Sequence, residues 1–426
     1  MKLKISAAPI SLLVIILLIT IVQRAQGQIN STFPSSQRNV VTSIFSFLTI
    51  NANAQSFGSG CIGVVASDLY TQNGLDQNPA LLARGKRVAG FQLINYVPWL
   101  RTLVPDMNFY ETGYYHSVSN KSTLGVSARY FSYGDLIQIT DDFGNNIGSI
   151  KAYEFATGLK FAHNFSKNFS MGTGLKYIYS DLTGGVTLGN GIKTHPAQAL
   201  AADFGFDYRT FLIEEENNSV KWNLGLSILN LGNKATYTNN QNKDFIPQTL
   251  KLGSMVTFKW DLAKNDHIAF DLGYQADKML VPTPPIFARD ASGNLIPDGK
   301  DGHKIERGMN PNVNSLQGAM QSFYDAPGGF TEEMSEIIHQ FGTEARYCTL
   351  NKKFILAFRY GYFIEHELKG NRKFNTFGLG IGIEGCRLDL AYILSPNQRH
   401  PLQNTVIISL GARFNLDEKK FLAFKE

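Results

Sequence analysis

The chain carries little charge for its length. Asp, Glu, Lys and Arg make up 18% of 426 residues, while aromatic residues make up 12% and Gly fills 39 positions. A disordered chain is charge-rich and poor in aromatics, so disorder is excluded, and a coiled coil or a collagen-like chain fails on the same counts. Cysteine is nearly absent. Cys61, Cys348 and Cys386 are too few and too scattered for a disulfide scaffold or a zinc site, and leave room for one disulfide with a thiol over. Neither sign of charge dominates. The formal net charge is +5, and Lys2, Lys4 and Arg24 account for three of those charges, leaving +2 after residue 27. Such a balance does not suit a nucleic-acid partner. After Gln28 no apolar run reaches about 18 residues, so no helix there is long enough to span a membrane.

Catalytic motifs are missing too. The eight histidines are dispersed, with no HxxxH or HExxH pair, and no G-x-S-x-G or P-loop occurs. Asp141-Asp142-Phe143-Gly144-Asn145-Asn146 has residue types that calcium uses, but a hairpin turn explains them. The stretch from Asp290 to Asp301 lacks the spacing of an EF-hand loop, and Glu365-His366-Glu367 reads as a solvated loop rather than a metal site. No catalytic residue, cofactor or metal is expected, and the role is read as non-enzymatic. Cys348 and Cys386 fall on strands and are expected to pack as small apolar residues.

What the chain does have begins with an address. Lys2 and Lys4 precede an apolar run from Ile10 to Val22, and Ala25-Gln26-Gly27 supplies the small residues that a signal peptidase reads. Residues 1–27 are therefore read as a secretory signal peptide. The other reading, an N-terminal membrane anchor, needs a longer run. No cysteine follows the run to support a lipoprotein anchor.

The rest is dominated by period two. Phe155, Leu159 and Phe161 alternate with Glu154, Ala156, Gly158, Lys160 and Ala162. Phe354, Leu356, Phe358, Tyr360 and Tyr362 alternate with Lys353, Ala357, Arg359 and Gly361. Fourteen such runs are expected: 87–97, 106–116, 122–133, 152–163, 168–180, 196–208, 219–231, 249–259, 266–276, 342–349, 353–363, 373–383, 385–394 and 404–414. Each has the length that a tilted membrane strand needs. An even number lets an antiparallel sheet close, and closure removes the edges that lipid cannot satisfy. Loops after odd-numbered runs are long and those after even-numbered runs short, as in outer-membrane barrels. The fold expected is all-β: a transmembrane outer-membrane β-barrel of about 14 antiparallel strands. Tyr96, Tyr114, Tyr115, Tyr130, Tyr133, Tyr177, Tyr179, Tyr360 and Tyr362 stand near strand ends and together would suit aromatic girdles, while ordinary strand packing is the favoured reading of any single one.

The domain layout follows. Residues 28–86 do not read as barrel and form a plug-like segment that fills the lumen or lies under it. Residues 87–414 are the barrel, with a long outer loop at 277–341, and 415–426 are a tail. The long loop holds Pro282, Pro284, Pro285 and Pro327, and Phe330 to Gln340 is expected to form a short amphipathic helix. Function is expected in such loops rather than on the lipid face.

Seven short motifs, in order, carry a family resemblance. They are Gln77-Asn78-Pro79-Ala80; Tyr96-Val97-Pro98-Trp99-Leu100 with Leu103-Val104-Pro105-Asp106; Arg129-Tyr130-Phe131-Ser132; Leu280-Val281-Pro282-Thr283-Pro284-Pro285; Ser322-Phe323-Tyr324-Asp325-Ala326-Pro327-Gly328-Gly329-Phe330; Lys369-Gly370-Asn371-Arg372-Lys373-Phe374; and His400-Pro401-Leu402-Gln403-Asn404-Thr405. Together they resemble the PorV family of the type IX secretion system of Bacteroidota, itself similar to the FadL family of fatty-acid transport barrels. The resemblance implies an outer-membrane shuttle without chemistry of its own. It would take secreted cargo by a conserved C-terminal domain at a SprA-like translocon barrel and hand it to a PorU-like sortase attachment complex. Membrane lipid or lipopolysaccharide would surround it. The contacts expected from this are Trp99, Leu100, Val104 and Pro105 in the first outer loop, and Pro282, Pro284, Phe323, Tyr324 and Phe330 in the longest. Trp99 also fits an interfacial anchor, and the prolines also fit a stiffened loop. Two other readings stay open. A FadL-like transporter would move hydrophobic molecules past a mobile plug. A surface enzyme such as a lipid deacylase would need a nucleophile and base within hydrogen-bond reach.

Overall fold

The structure is a computed structural model that describes residues 39–67, 71–84, 87–98, 106–140, 146–187, 191–239, 243–262, 266–299, 302–349, 354–395 and 402–416. The expected signal peptide, the contacts expected at Trp99, Leu100, Val104 and Pro105, most of the turn expected at Asp141–Asn146 and the tail from 417 lie outside the described residues.

Fourteen antiparallel strands close into a barrel. They are β1 (Val88–Val97), β2 (Met107–Ser117), β3 (Ser122–Tyr133), β4 (Tyr153–Asn164), β5 (Phe169–Asp181), β6 (Ala197–Glu214) and β7 (Asn218–Gly232). Then come β8 (Thr249–Asp261), β9 (His267–Met279), β10 (Ile338–Cys348), β11 (Phe354–Ile364), β12 (Lys373–Ile383), β13 (Cys386–Leu394) and β14 (Val406–Asn415). Neighbours in sequence are neighbours in space, and β1 closes on β14 from Val88↔Asn415 to Tyr96↔Ile408. Among the described residues no helix is long and apolar enough to cross a membrane. The strands do the crossing.

The polarity is that of a lipid-facing barrel. On β4, Leu159 is 67% exposed and its neighbour Lys160 2% exposed. Leu175, Leu200 and Phe358 face outward in the same way, while Lys176, Asp203 and Arg359 are buried inside. A soluble sandwich puts the leucine in and the lysine out; lipid inverts the choice. The short turns are built for sharp reversal. Glu384 and Gly385 join β12 to β13 with φ of 48° and 93°, the two positive values of a type I′ hairpin.

Several expectations need correction. β10 starts at Ile338, because residues from there pair with β9 (Asp277↔Ile338), so the helix expected over Phe330–Gln340 ends at Ser335. β6 runs on to Glu214, pairing with β7 through a bulge as far as Glu214↔Ser219. Both faces of that extension are largely exposed, which erases the alternation there. Tyr115 is buried inside the barrel, and Tyr133 donates to Glu154 Oε2 at 2.7 Å, so neither joins an outer girdle. Glu365 is not a solvated loop residue; it is buried and paired with Arg372 at 2.8 Å. No disulfide joins the three cysteines, and Cys386 is exposed rather than packed.

Candidate functional site

The described residues between Asn39 and Arg84 add no strand to the sheet, yet most of them are buried. They begin among the loops at the long-loop end. Lys369 Nζ donates to Asn39 O at 2.8 Å, Asn39 Nδ2 donates to Pro284 O, and Ile44 N donates to Phe245 O at 3.0 Å. Asn53 caps helix α1 (Ala54–Gly58), its Oδ1 accepting from Gln55 N at 3.0 Å and Ser56 N at 3.2 Å. From there the contacts step around the inner wall. Ala54 N donates to Ser409 Oγ on β14 at 2.8 Å, and Gly60 N to Thr376 Oγ1 on β12 at 3.0 Å. Gly63 N and Val64 N share Gln275 Oε1 on β9, each at 2.9 Å. Asn78 Nδ2 reaches Phe206 O on β6 at 3.0 Å, and Arg84 pairs with Asp207 on the same strand at 2.5 Å. Asp76 meets Arg129 on β3 at 3.2 Å.

The wall makes room for this segment with glycine. Gly342 and Gly361 are a directly opposed pair on β10 and β11, and a Cβ on either would collide with the backbone at Ser59 and Gly60. Gly225 and Gly253, opposed on β7 and β8, face Val64; Gly172 and Gly205, opposed on β5 and β6, face Pro79 and Asn78. At these rows the segment lies so close to the strands that an added Cβ would collide with it.

Charge fills the inner wall beside them. From β9 to β13 the signs alternate: Asp271 pairs with Arg346, Arg346 with Glu344 at 2.7 Å, Glu344 with Arg359 at 2.5 Å, Arg359 with Asp389 at 2.9 Å and Asp389 with Arg387 at 2.7 Å. Nearer the long loops the lumen turns apolar, where Phe45, Phe47 and Leu48 pack with Phe109, Phe131, Phe363 and Phe374.

The longest loop covers 280–337 and holds helices α2 (Ser315–Gln321) and α3 (Phe330–Ser335). Its inner side is a buried ion cluster. Lys278, at the end of β9, pairs with Glu333 at 3.0 Å and Glu336 at 2.6 Å. Lys369, from the loop after β11, pairs with Glu336 at 2.9 Å and Glu332 at 2.6 Å. Thr283 Oγ1 donates to Glu336 Oε1 at 2.6 Å, and Thr283 N donates to Asp325 Oδ2 at 3.2 Å. Burial pushes the Asp325 carboxyl up to about 6, and the charges of Glu333 and Glu336 push the same way against the Thr283 N–H. Burial acts on Glu336 as well, but bonds from Lys278 and Thr283 outweigh it and hold that carboxyl below its ordinary value.

The outer side of the same loop is apolar. Leu316 and Met320 on α2, Phe323 and Tyr324 after it, and Phe330 and Met334 on α3 are all exposed, Phe330 by 76%. Of the expected contacts, Phe323, Tyr324 and Phe330 are each exposed on this loop. Pro282 is buried against Gly318 of α2, and Pro284 is half-buried with its carbonyl bonded to Asn39. The glycine rows and the Lys278 cluster were not singled out from sequence. Glycine at alternate strand positions is the signal that marks the rows.

A family model described as "Type IX secretion system protein PorV" matches residues 33–286. The chain belongs to the PorV family. It is an integral outer-membrane protein and a component of the type IX secretion system. No curated protein matches the chain. Among solved structures, it is similar to the Ralstonia pickettii toluene transporter TbuX at 12% identity, covering 85% of this chain and 98% of that one with a TM-score of 0.41. A Pseudomonas aeruginosa FadL homologue matches at 10% identity, 88% and 99% coverage and a TM-score of 0.39. In a PorV-family barrel in the outer membrane the long loops face the cell surface and the short turns the periplasm.

Proposed function

We propose that this protein binds the C-terminal domain of secreted cargo at a SprA-like translocon and carries it to a PorU-like attachment complex on the cell surface. The observation that carries this reading is the two-sided long loop. Buried ion pairs hold it in place, and six of its large apolar or aromatic side chains are exposed. An apolar anchor presented on a fixed support is what reversible protein capture needs. Phe323, Tyr324 and Phe330 are the proposed anchors, and Trp99, Leu100, Val104 and Pro105 of the first loop a second contact. Pro282 and Pro284 act as supports. The Asn39–Arg84 segment is proposed as a fixed plug, so that traffic uses the outer surface and not the lumen. Cleavage after residue 27 belongs to the same proposal.

The test replaces Phe323, Tyr324 and Phe330 together with serine. Barrel assembly and abundance should stay normal while cargo recovered with the tagged protein falls at least several-fold. Unchanged recovery overturns the reading. A second reading, uptake of hydrophobic molecules, draws on the apolar cluster inside the lumen. It requires Phe45, Phe47 and Leu48 to leave their packed positions. Copurified fatty acid without any secretion component would favour it.

A further inference from the structure

Strand β1 carries a bulge. Gln92 pairs with Gly411 on β14 and with Gly113 on β2, but the register then slips, to Ile94↔Leu410 on one side and Asn95↔Glu111 on the other. Leu93 and Ile94 both face outward. Thr112 Oγ1 takes up the displaced carbonyls of Gln92 and Leu93 at 2.9 and 3.0 Å. Regular alternation from Gln92 would put Ile94 inside and Asn95 against lipid. The bulge re-aims Asn95 into the lumen instead.

There Asn95 is completely buried, and neither its Oδ1 nor its Nδ2 has a hydrogen-bond partner. Asn95 stands opposite Glu111 on β2, and the groups linked to Glu111 are unsaturated too. Gln92 gives Nε2 to Glu111 at 2.8 Å and leaves Oε1 without a partner. Arg129 joins Glu111 at 3.1 Å to Asp76, whose Oδ1 is left over. A buried amide without partners is strongly disfavoured, and few occur in folded proteins. Here the wall gives up its regularity to bring one inside. Glu111, Asp76 and Asp203 are matched by Arg129, Lys160 and Lys176, so no net charge needs an ion.

We infer that Asn95, Gln92 and Asp76 bind a small neutral molecule that both donates and accepts hydrogen bonds, either ordered water or an amide-sized solute. The site lies between β1, β2, β3 and the inner segment, away from the long loop.

The unfolding midpoint of the full-length barrel in detergent, read from its heat-dependent mobility on gels, tests this in wild type, Asn95→Ala and Asn95→Leu. Alanine adds no bulk. If the site is occupied, alanine lowers the midpoint by roughly 2–4 °C, because the bound molecule loses a partner. If the amide is simply unsatisfied, alanine raises the midpoint, and the inference is overturned. Leucine, which also evicts the molecule, lowers it further when the site is occupied; a leucine midpoint above wild type overturns the inference as well. Added acetamide separates the two occupants. A wild-type midpoint that climbs with acetamide while Asn95→Ala does not respond identifies a solute site; a drop on Asn95→Ala with no acetamide response identifies water.

Discussion

Gly361 of β11 and Gly60 of the inner segment meet backbone to backbone. A methyl group on Gly361 would fall on the Gly60 nitrogen, and one on Gly60 would fall on the Phe341 carbonyl. Gly60 also has a φ of 72°, which side chains rarely adopt. Wall and segment therefore fit at a distance that only two glycines permit.

Gly361→Ala should thus loosen the segment without removing any hydrogen-bonding group. Overpacking a tight contact costs about 1–3 kcal/mol. The expected result is a lower unfolding midpoint and faster hydrogen exchange in residues 54–66. An unchanged exchange pattern would mean that the segment moves aside freely, as a mobile plug must.

Lys278 is the pivot beneath the long loop, with Glu333 and Glu336 both on it. Lys278→Ala leaves two buried carboxylates with less compensation, and breaking a buried pair costs about 3–5 kcal/mol. The loss should stay local. Limited trypsin digestion should cut residues 280–337 faster than in wild type, while the barrel keeps its heat-dependent mobility. Cargo capture should fall with it, although Lys278 itself touches no cargo.

The barrel was legible in the residues because each strand carries its own two-faced pattern: Leu159 beside Lys160 names both lipid and lumen. The loop helix was legible only in part. Phe330 and Met334 stand at helical spacing and mark the apolar face of a short amphipathic helix, but nothing local says which face is buried. In the fold Glu333 is the buried residue, and its partner Lys278 comes from a strand end far away in sequence. Glu365 was misread for the same kind of reason. Its partner Arg372 arrives only when the loop folds back. The path of Asn39–Arg84 rests on contacts such as Ala54 with Ser409, which no local pattern encodes.

Arg359 stands between Glu344 and Asp389 in the inner charge row. Arg359→Met removes the guanidinium that bridges those two carboxylates and should destabilise the barrel by about 3–5 kcal/mol. Adding Glu344→Gln to that variant should restore part of the loss, because one buried negative charge disappears. Additive effects of the two substitutions, measured as unfolding midpoints, would show that the pair does not couple.

The Asp325 carboxyl gives the long loop a dependence on pH. Its value is raised to about 6 in the folded loop, first by burial and then by Glu333 and Glu336, against an ordinary value near 3.8. A carboxyl raised on folding favours the docked loop in its protonated form. That contribution is complete at acid pH and is lost as pH rises through about 6. Glu336 acts in the opposite sense and only at lower pH, where its protonation would release Lys278. Between pH 5 and 7.5 the loop should therefore loosen as pH rises. Hydrogen exchange in residues 315–335, corrected for intrinsic rates, should show less protection at pH 7.5 than at pH 5. Asp325→Asn keeps an acceptor for the Thr283 N–H and carries no charge, so it should hold the protected state at both values. Equal protection of the wild-type loop at both pH values would remove Asp325 as the cause.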